Sequence, residues 1–323
     1  MERAYLGDTG IRISKIILGC GNFGGVGSSP EFFGRGETRD DAFAIMDAAW
    51  AAGITTFDTA DAYGGGRSES WIGDWLRTKG TDVRDAIVLS TKTFNPMDEG
   101  ADHGLAPDRV KRQLESSLQR LGVEHVHMYL THEPDPDVPI AETLGALDEL
   151  VRAGKIGAVG ASNVDGAQLG EALAVTPGAR YAWVQNSYSL LDREAEREVL
   201  PLCVENSLGF TPFSPLAGGW LTGKYTRGAE LPAGSRMTLR PEPYAQFVED
   251  DAVWRGLDGL AAAAAGRGTS QAALALAWLL ADSRVTAVVV GPRRAEHLEP
   301  ALTAIERPVT PAERDELSRL FAR

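Results

Sequence analysis

The feature that most constrains this chain is a regular alternation of short, mostly apolar runs with longer stretches of helical periodicity. Eight such runs are each followed by a helical pattern, at residues 16–18, 55–57, 87–90, 126–130, 158–160, 183–186, 210–213 and 287–290. Apolar runs of this kind are typical of parallel strands that are buried on both faces. The alternation predicts an α/β protein. Eight units without a linker favour a single-domain (β/α)8 barrel over residues 1–323, rather than an open doubly wound sheet.

The two ends of the chain add smaller elements to this barrel. A turn at Gly7–Gly10 predicts a short N-terminal β-hairpin. Thr38 and Asp41 resemble a capping box and predict the start of the first long helix. We also expect one helix at 194–203, a long helical region at 250–281 and extra C-terminal helices at 295–305 and 311–321.

Charge and composition exclude several classes of function. The 323 residues carry a net charge of -13, which leaves no broad basic surface, so we expect no nucleic-acid partner. Cys20 and Cys203 are too few for a disulfide framework. No apolar run reaches the ~20 residues that a membrane span needs, so we expect no membrane insertion. The start, MERAYLGDTG, lacks the apolar stretch of a signal peptide, and we expect a cytoplasmic protein. Its oligomeric state cannot be read from these features.

The segment Gly19-Cys20-Gly21-Asn22-Phe23-Gly24 matches the GxGxxG pattern of dinucleotide-binding Rossmann units. In that fold the third glycine opens a helix, so that the pyrophosphate meets the helix N-terminus. Here more glycines and a proline intervene before any helical pattern begins. We therefore interpret the segment as a loop at the C-terminal end of the first barrel strand, the end where barrel active sites lie.

Four polar residues follow the second, third and fourth strand signals. Asp58 follows 55–57 and Tyr63 comes shortly after it, Lys92 follows 87–90, and His132 follows 126–130. Each alone is as consistent with a cap, a loop or a structural role. Because parallel strands end side by side at the mouth of a barrel, we expect the four to converge.

The chemistry of these four residues suits proton delivery to a carbonyl oxygen. A free tyrosine has a pKa of ~10, and a lysine cation nearby is expected to lower it. A carboxylate at Asp58 would offset the cost of burying Lys92. His132 would donate a hydrogen bond to the oxygen where negative charge develops. None of these groups supplies a hydride, so reduction would require a cofactor. Histidines 125, 127 and 132 are too close along one strand to form a metal site, and we expect none.

The chain resembles the aldo-keto reductase superfamily, in its bacterial NADPH-dependent type, on motifs spread over nearly its whole length. They are GDTGIRIS (7–14), FDTADAYGGGRSE (57–69), STK (90–92), LTHEPDPDVP (130–139), GKIGAVGASN (154–163), VQNSYSLLDR (184–193), FTPFSPLAGGWLTGKY (210–225) and VVVGPRRAEHLEPAL (288–302). The resemblance implies an eight-stranded barrel that binds NADPH in extended form. It also implies that Asp58, Tyr63, Lys92 and His132 form the catalytic tetrad.

The resemblance further implies which residues contact the cofactor. Ser162, Asn163 and Gln185 match residues that hold the nicotinamide carboxamide, and Phe213 matches the ring that stacks on the nicotinamide. The first barrel loop and the tetrad would add Gly21, Asn22 and Asp58. The loop over the pyrophosphate would contribute Ser214, Pro215, Leu216, Gly218 and Lys224.

At the adenosine end the match is less regular. Gly291, Pro292 and Arg293 match the segment that holds the 2′-phosphate in relatives, and Arg293 suits that role as a bidentate donor. Arg294 could share that role or be a solvated residue at a helix start, and His297, also expected to contact the cofactor, stands where relatives often carry Arg or Gln. Pro300 and Ala301 replace a common Glu-Asn pair there. The prediction is NADPH, with NADH as the alternative.

The substrate is predicted only as a small-molecule carbonyl: an aldehyde, a ketone or a sugar-like ring. Phe23, Phe33 and Phe94 are expected to line its pocket with Tyr63 and His132. In the resembled family, His132 favours carbonyl over C=C reduction. Glu133 is expected to point away from the site, as its neighbour on an extended segment.

Two other functions stay open from the sequence. One is a barrel lyase in which Lys92 forms a Schiff base. The other is a cofactor-binding regulatory subunit with weak turnover.

Overall fold

A computed structural model describes residues 1–100, 102–176 and 178–322. Two strands form an N-terminal hairpin, β1 (Arg3–Tyr5) and β2 (Arg12–Ser14). Eight further strands in the described residues form one parallel sheet. They are β3 (Ile16–Gly19), β4 (Thr56–Asp58), β5 (Val88–Thr93), β6 (Val126–Thr131), β7 (Ile156–Ser162), β8 (Tyr181–Gln185), β9 (Gly209–Phe210) and β10 (Val288–Val290).

The sheet runs β10-β3-β4-β5-β6-β7-β8-β9, with parallel neighbours throughout. Two backbone hydrogen bonds join its outer strands, from Thr286 N to Phe210 O at 2.8 Å and from Val289 N to Pro212 O at 2.9 Å. The sheet therefore curls into the predicted (β/α)8 barrel. That a single domain spans residues 1–323 stays a prediction.

Twelve α-helices lie in the described residues. They are α1 (Arg39–Ala51), α2 (Arg67–Arg77), α3 (Thr81–Ala86), α4 (Pro107–Leu121), α5 (Ile140–Arg152), α6 (Gly166–Ala174), α7 (Val199–Glu205), α8 (Arg236–Leu239), α9 (Asp251–Gly266), α10 (Gln271–Leu280), α11 (Glu299–Glu306) and α12 (Pro311–Leu320). The capping box predicted at Thr38 and Asp41 is present at the start of α1. None of the described helices is long and apolar enough to cross a membrane.

Two predicted helices are interrupted for identifiable reasons. The region 250–281 divides into α9 and α10 because Gly268 is left-handed (φ +59°) and the Ser270 side chain caps a new helix at Ala273 N. The predicted helix 194–203 becomes a 3₁₀ turn, Glu194–Glu196, followed by α7. The break places Pro201 in the first turn of α7, where its missing N–H leaves no intrahelical bond unmade.

The interior of the barrel is packed, and the hairpin closes its lower end. Leu6 and Ile13 of the hairpin region are fully buried with Leu130, Trp183 and other inward-facing residues of the strands. Gly160 of β7 lies against the Trp183 ring, and a Cβ there would stand 2.6 Å from it. Side chains therefore fill the lower part of the barrel interior.

The GxGxxG segment forms a loop, as expected, because α1 begins only at Arg39. This loop turns back on itself: a Cβ on Gly36 would lie 2.1 Å from the carbonyl oxygen of Asn22. It thus connects the barrel mouth to the start of α1 and contributes to the site described next.

Candidate active site

The four predicted catalytic residues converge at the upper end of the barrel. Asp58 ends β4, Tyr63 begins the 3₁₀ turn Tyr63–Gly66, and His132 follows β6. Lys92 lies inside β5, not after it as predicted, because that strand continues to Thr93. Alternate residues of a strand face opposite sides, so Lys92 still points to the barrel axis.

The Asp58 carboxylate is the centre of a buried network. Lys92 Nζ lies 2.6 Å from Asp58 Oδ2, and both side chains are 4% exposed or less. The other oxygen, Oδ1, accepts hydrogen bonds from Ser90 Oγ at 2.9 Å and Gln185 Nε2 at 3.1 Å. Both oxygens are thus satisfied, as a buried carboxylate requires.

Tyr63 is in reach of this network. Its hydroxyl lies 3.4 Å from Lys92 Nζ, and the ammonium is 5.0 Å from the centre of the Tyr63 ring. Burial raises the pKa of Tyr63, and the Lys92 cation offsets only part of that rise. The prediction of a lowered tyrosine pKa is therefore wrong, because desolvation outweighs the charge. The phenol keeps its proton at neutral pH, as a proton donor must.

Lys92 stays cationic despite being fully buried. Burial alone would lower the pKa of Lys92, but Asp58 and Tyr63 outweigh it, and the pKa lies above its ordinary value. The ammonium therefore remains available to stabilise a tyrosinate.

His132 is held neutral beside the phenol. Burial, and then the Lys92 charge, keep the pKa of His132 well below its usual value. Asn95 Nδ2 lies 3.2 Å from His132 Nδ1, and because an amide nitrogen only donates, the ring proton is placed on Nε2. The rings of His132 and Tyr63 meet edge to face with centroids 5.5 Å apart. Sequence reasoning missed Asn95, whose contact spans a loop without periodicity.

The residues matched to the nicotinamide carboxamide stand next to the tetrad. Ser162 Oγ donates to the Gln185 carbonyl oxygen at 2.7 Å, while the Gln185 side chain holds Asp58. Asn163 is left-handed (φ +57°), and its Nδ2 donates to the His132 carbonyl oxygen at 2.9 Å. These contacts fix the planes of both side-chain amides.

Glu133 does not point away from the site as expected. Its Oε1 accepts a hydrogen bond from Asn163 Nδ2 at 3.1 Å, and burial raises the pKa of Glu133 to about 7. The left-handed turn at Asn163 brings its amide back over the strand end, where it captures the carboxylate. Glu133 therefore belongs to the immediate surroundings of the site.

The residues matched to the pyrophosphate loop form a left-handed turn after β9. Phe213 is partly buried and packs against the inner core of the barrel. The next residue, Ser214, is left-handed (φ +52°) and accepts a hydrogen bond from the Tyr244 hydroxyl at 2.9 Å. Pro215 is buried, and Leu216 precedes the 3₁₀ turn Ala217–Thr222, within which Gly218 and Gly219 are also left-handed. A Cβ on Gly219 would lie 2.3 Å from Lys224 Nζ, so this cation lies directly against the turn.

The third group of predicted cofactor residues meets at the far end of the same region. A Cβ on Gly291 would lie 3.7 Å from Asn22 Nδ2, and Gly21 lies against the Tyr63 ring. Arg293 N donates to His297 Nδ1 at 3.3 Å. The Arg293 guanidinium is already engaged: its Nε lies 2.5 Å from Glu37 Oε1, and its Nη1 donates to the Gly234 carbonyl oxygen.

The three phenylalanines predicted for the substrate pocket lie in different surroundings. Phe23 is fully buried in the core cluster, and its place in the substrate pocket stays a prediction. Phe33 stays close to the site, since a Cβ on Gly65 would touch its ring at 3.0 Å. Phe94 is partly buried, with its ring 6.0 Å from that of His103.

A cavity of about 660 Å³ lies beside the pyrophosphate turn, next to Ser214 and Ala217. Arg193, Tyr244 and Phe321 also line it, but none of the tetrad does. It is therefore distinct from the barrel mouth. In the described part of the chain, no group of three or more His, Cys, Asp or Glu is arranged to hold a metal ion.

The comparisons with known proteins agree with this architecture. The profile of the aldo/keto reductase family matches residues 15–321. The chain is 37% identical to "Uncharacterized oxidoreductase YrpG" of Bacillus subtilis (strain 168), over 95% of this chain and 91% of that protein. It is 32% identical to the "NADH-specific methylglyoxal reductase" of Escherichia coli (strain K12), over 94% of each chain. It is also 32% identical to a "Probable voltage-gated potassium channel subunit beta" of Oryza sativa subsp. japonica, over 95% and 92% of the two chains.

Fold and site together define a barrel whose mouth carries a buried Asp–Lys pair beside a tyrosine and a neutral histidine. With the profile match over nearly its whole length, the chain belongs to the aldo/keto reductase family. It is an oxidoreductase that acts on carbonyl compounds and uses a nicotinamide cofactor.

Proposed function

We propose that this enzyme reduces an aldehyde or ketone to an alcohol, with Tyr63 as the proton donor. The observation that carries the proposal is the chain of contacts from Tyr63 Oη to Lys92 Nζ at 3.4 Å and on to Asp58 Oδ2 at 2.6 Å. A protonated phenol next to a permanent cation is suited to give up its proton when negative charge develops on a nearby oxygen.

The residues fit a nicotinamide cofactor. The left-handed turn Ala217–Thr222 with Lys224 against it forms a cradle for an anion, and Asn163 and Gln185 present fixed amides beside the tetrad. When bound, a reduced nicotinamide supplies the hydride.

The protein's own part is proton transfer and charge stabilisation. Tyr63 donates its proton to the carbonyl oxygen, and Lys92 stabilises the tyrosinate that remains. His132 holds the same oxygen through Nε2–H, which is the donor in the tautomer that the contact with Asn95 selects. The carbonyl carbon gains the hydride and the oxygen gains the proton, so the alcohol is complete.

The range of substrates, the choice between NADPH and NADH and the location in the cell are proposals. The substrate class includes sugar-like rings, because hydroxylated carbonyls also present the acceptor oxygen that His132 and Tyr63 would hold. The cofactor predicted from the sequence is NADPH, on the strength of Arg293, whereas the Escherichia coli relative is named for NADH. A reducing cytoplasmic setting is supported by two buried free cysteines, Cys20 and Cys203.

The alternative is a cofactor-binding regulatory subunit with weak turnover. The rice relative named as a channel β subunit supports it. The two functions differ in turnover and not in cofactor binding.

Tyr63→Phe tests the proposal because it removes only the hydroxyl. Oxidation of NADPH and NADH is followed at 340 nm with a panel of aldehydes and ketones, and binding is titrated separately by fluorescence. We expect the variant to lose at least about 100-fold in kcat with little change in dinucleotide Kd. Tyr181→Phe is the matched control, since Tyr181 is a buried tyrosine of β8 that contacts Thr131.

Full activity in Tyr63→Phe would overturn the proton-donor assignment. Tight dinucleotide binding by the unaltered protein with negligible turnover on the whole panel would support the regulatory subunit instead.

A further inference from the structure

Glu37 is a buried carboxylate that contacts Arg293, one of the residues matched to the adenosine half of the cofactor. It directly precedes Thr38, the residue that caps α1. Its N–H donates to the Asn22 carbonyl oxygen at 2.9 Å, and its own carbonyl oxygen accepts from Gly24 N at 3.0 Å. The side chain is only 4% exposed. Its position is therefore fixed by the first barrel loop, which also carries Asn22.

The Glu37 carboxylate is only half satisfied. Oε1 binds Arg293 Nε at 2.5 Å, whereas Oε2 is buried and has no hydrogen-bond partner among the described residues. A buried acceptor without a donor destabilises a protein unless something supplies the missing hydrogen bond. The free oxygen thus marks a place where a ligand hydroxyl would be stabilising.

The same contact changes what Arg293 offers. Its guanidinium is shared between Glu37 and the Gly234 carbonyl oxygen, so two of its donors are taken. A phosphate that captured the Nε side of this fork would displace Glu37 and leave a buried carboxylate without any partner. A phosphate on the remaining side would still stand next to that carboxylate.

The other charged side chains near Arg293 include both cations and a carboxylate. Arg293 acts on Lys224 and His297, and Arg294 and Glu296 also act on His297. Those cations attract any anion and so favour the pyrophosphate, which both dinucleotides contain. Glu37 is the buried, desolvated carboxylate of the group, and only an extra phosphate would meet it unfavourably.

We propose that Glu37 is a cofactor-selectivity residue: Oε2 accepts a hydrogen bond from a ribose hydroxyl of the adenosine half, and its charge opposes a phosphate on that ribose. The enzyme then binds NADH more tightly than NADPH, contrary to the expectation from sequence. This inference rests on the proposed function, because it concerns the cofactor of that same site. An acidic residue that holds the ribose of NAD is known chemistry in unrelated dinucleotide folds.

The test measures binding, not turnover. NADH and NADPH are titrated by fluorescence against the unaltered protein, Glu37→Gln and Glu296→Gln. ADP-ribose and 2′-phospho-ADP-ribose are titrated by calorimetry as probes that lack the nicotinamide. Glu37→Gln keeps the shape and an acceptor for Arg293 but removes the charge. Glu296→Gln removes an equal charge from an exposed position nearby.

We expect the unaltered protein to favour NADH over NADPH, and ADP-ribose over its 2′-phosphate, by about tenfold or more. Glu37→Gln should tighten NADPH by about tenfold and reduce that preference, while Glu296→Gln changes the ratio by less than about twofold. The comparison of the two nicotinamide-free probes in the unaltered protein needs no variant, so it stands even if Glu37→Gln folds poorly.

Tighter binding of NADPH than of NADH to the unaltered protein would overturn this inference and leave the proposed function intact. So would an unchanged ratio in a folded Glu37→Gln. If neither dinucleotide binds at all, the proposed function fails, and this inference fails with it.

Discussion

Two buried carboxylates, each paired with a cation, stand at opposite ends of the site, and they differ in how completely their oxygens are satisfied. At the barrel mouth, both oxygens of Asp58 accept hydrogen bonds and Lys92 is fully buried. At the other end, Glu37 has one buried oxygen without a partner among the described residues, and the Arg293 side chain is 39% exposed. The first pair is complete in itself, whereas the second is complete only when a ligand contributes.

This difference matches what each end has to do. Chemistry at a carbonyl requires charges that are fixed before the substrate arrives, because reorganising them would add to the barrier. Selective binding instead gains from groups that are unsatisfied until the right ligand supplies their partner, since the wrong ligand then leaves them unpaired.

The largest effect on stability and on kcat is expected at the fully satisfied Asp58–Lys92 pair. Lys92→Met should lower the free energy of unfolding by about 3–5 kcal/mol, because it leaves Asp58 charged, buried and without its cation. It should also lower kcat by at least about 100-fold, since no ammonium remains beside the Tyr63 hydroxyl. Urea unfolding and the 340 nm assay measure the two effects.

The control for this prediction is Lys111→Met, which breaks an exposed ion pair with Glu149. Surface pairs contribute about 0–1 kcal/mol, so this variant should remain close to the unaltered protein. If the Lys92→Met protein were no less stable than Lys111→Met, the Asp58–Lys92 pair at the barrel mouth would not be the fully satisfied pair that its hydrogen bonds indicate.

A smaller effect on kcat is expected from Asn95, which contacts the ring of His132 at the barrel mouth. Asn95→Leu removes the donor to Nδ1, so the ring is free to adopt the other tautomer and kcat should fall by about tenfold. Asn95→Asp keeps the shape but only accepts. It should raise the pKa of His132 and add an ionisation to the pH profile of kcat.

Asn206→Leu is the control for this pair of variants, because the Asn206 amide bonds to Leu202 of α7 and to Arg180, and not to any tetrad residue that the structure describes. Dinucleotide Kd should be unchanged in all three. Identical pH profiles for Asn95→Asp and the unaltered protein would contradict the positioning role of Asn95.

The sequence predicted the barrel mouth far better than the end that contains Glu37 and Arg293. Asp58 and His132 stand at strand ends, and parallel strands bring their ends together, so periodicity and topology were enough to join them. Asn95 and Glu37 carry no such signal. Their partners lie 37 and 256 residues away, inside loops whose course depends on tertiary packing.

The sequence also could not predict which of two opposing effects, the nearby cation or burial, decides the pKa of Tyr63. The residue types around Tyr63 correctly suggested that a cation would act on the phenol. Whether that cation or the burial of Tyr63 decides the direction of the pKa depends on how much water reaches the ring, which only the packed structure defines. The same holds for Glu133, whose direction followed from a left-handed turn at Asn163.

The smallest effect is expected for Glu133. It tests the comparison between the two ends directly, because this carboxylate lies at the barrel mouth but its charge is only partly compensated. Its pKa, about 7, lies above the value of 4.5 for an unperturbed glutamate. The folded protein therefore binds more protons than the unfolded chain between those values, and stability falls as the pH rises through that window. Glu133→Gln should remove this contribution, by about 1 kcal/mol or less after screening by solvent.

The measurement is the thermal unfolding midpoint of Glu133→Gln and the unaltered protein at pH 5, 6, 7 and 8. Asp61, also with a pKa of about 7, titrates in the same range in both proteins, so only the difference between the two curves reports Glu133. We expect the variant to gain about 1–2 °C on the unaltered protein between pH 5 and 8. Parallel curves would mean that the charge of Glu133 is compensated as fully as that of Asp58. The contrast between the barrel mouth and the Glu37 end would then include Glu133 on the fully compensated side.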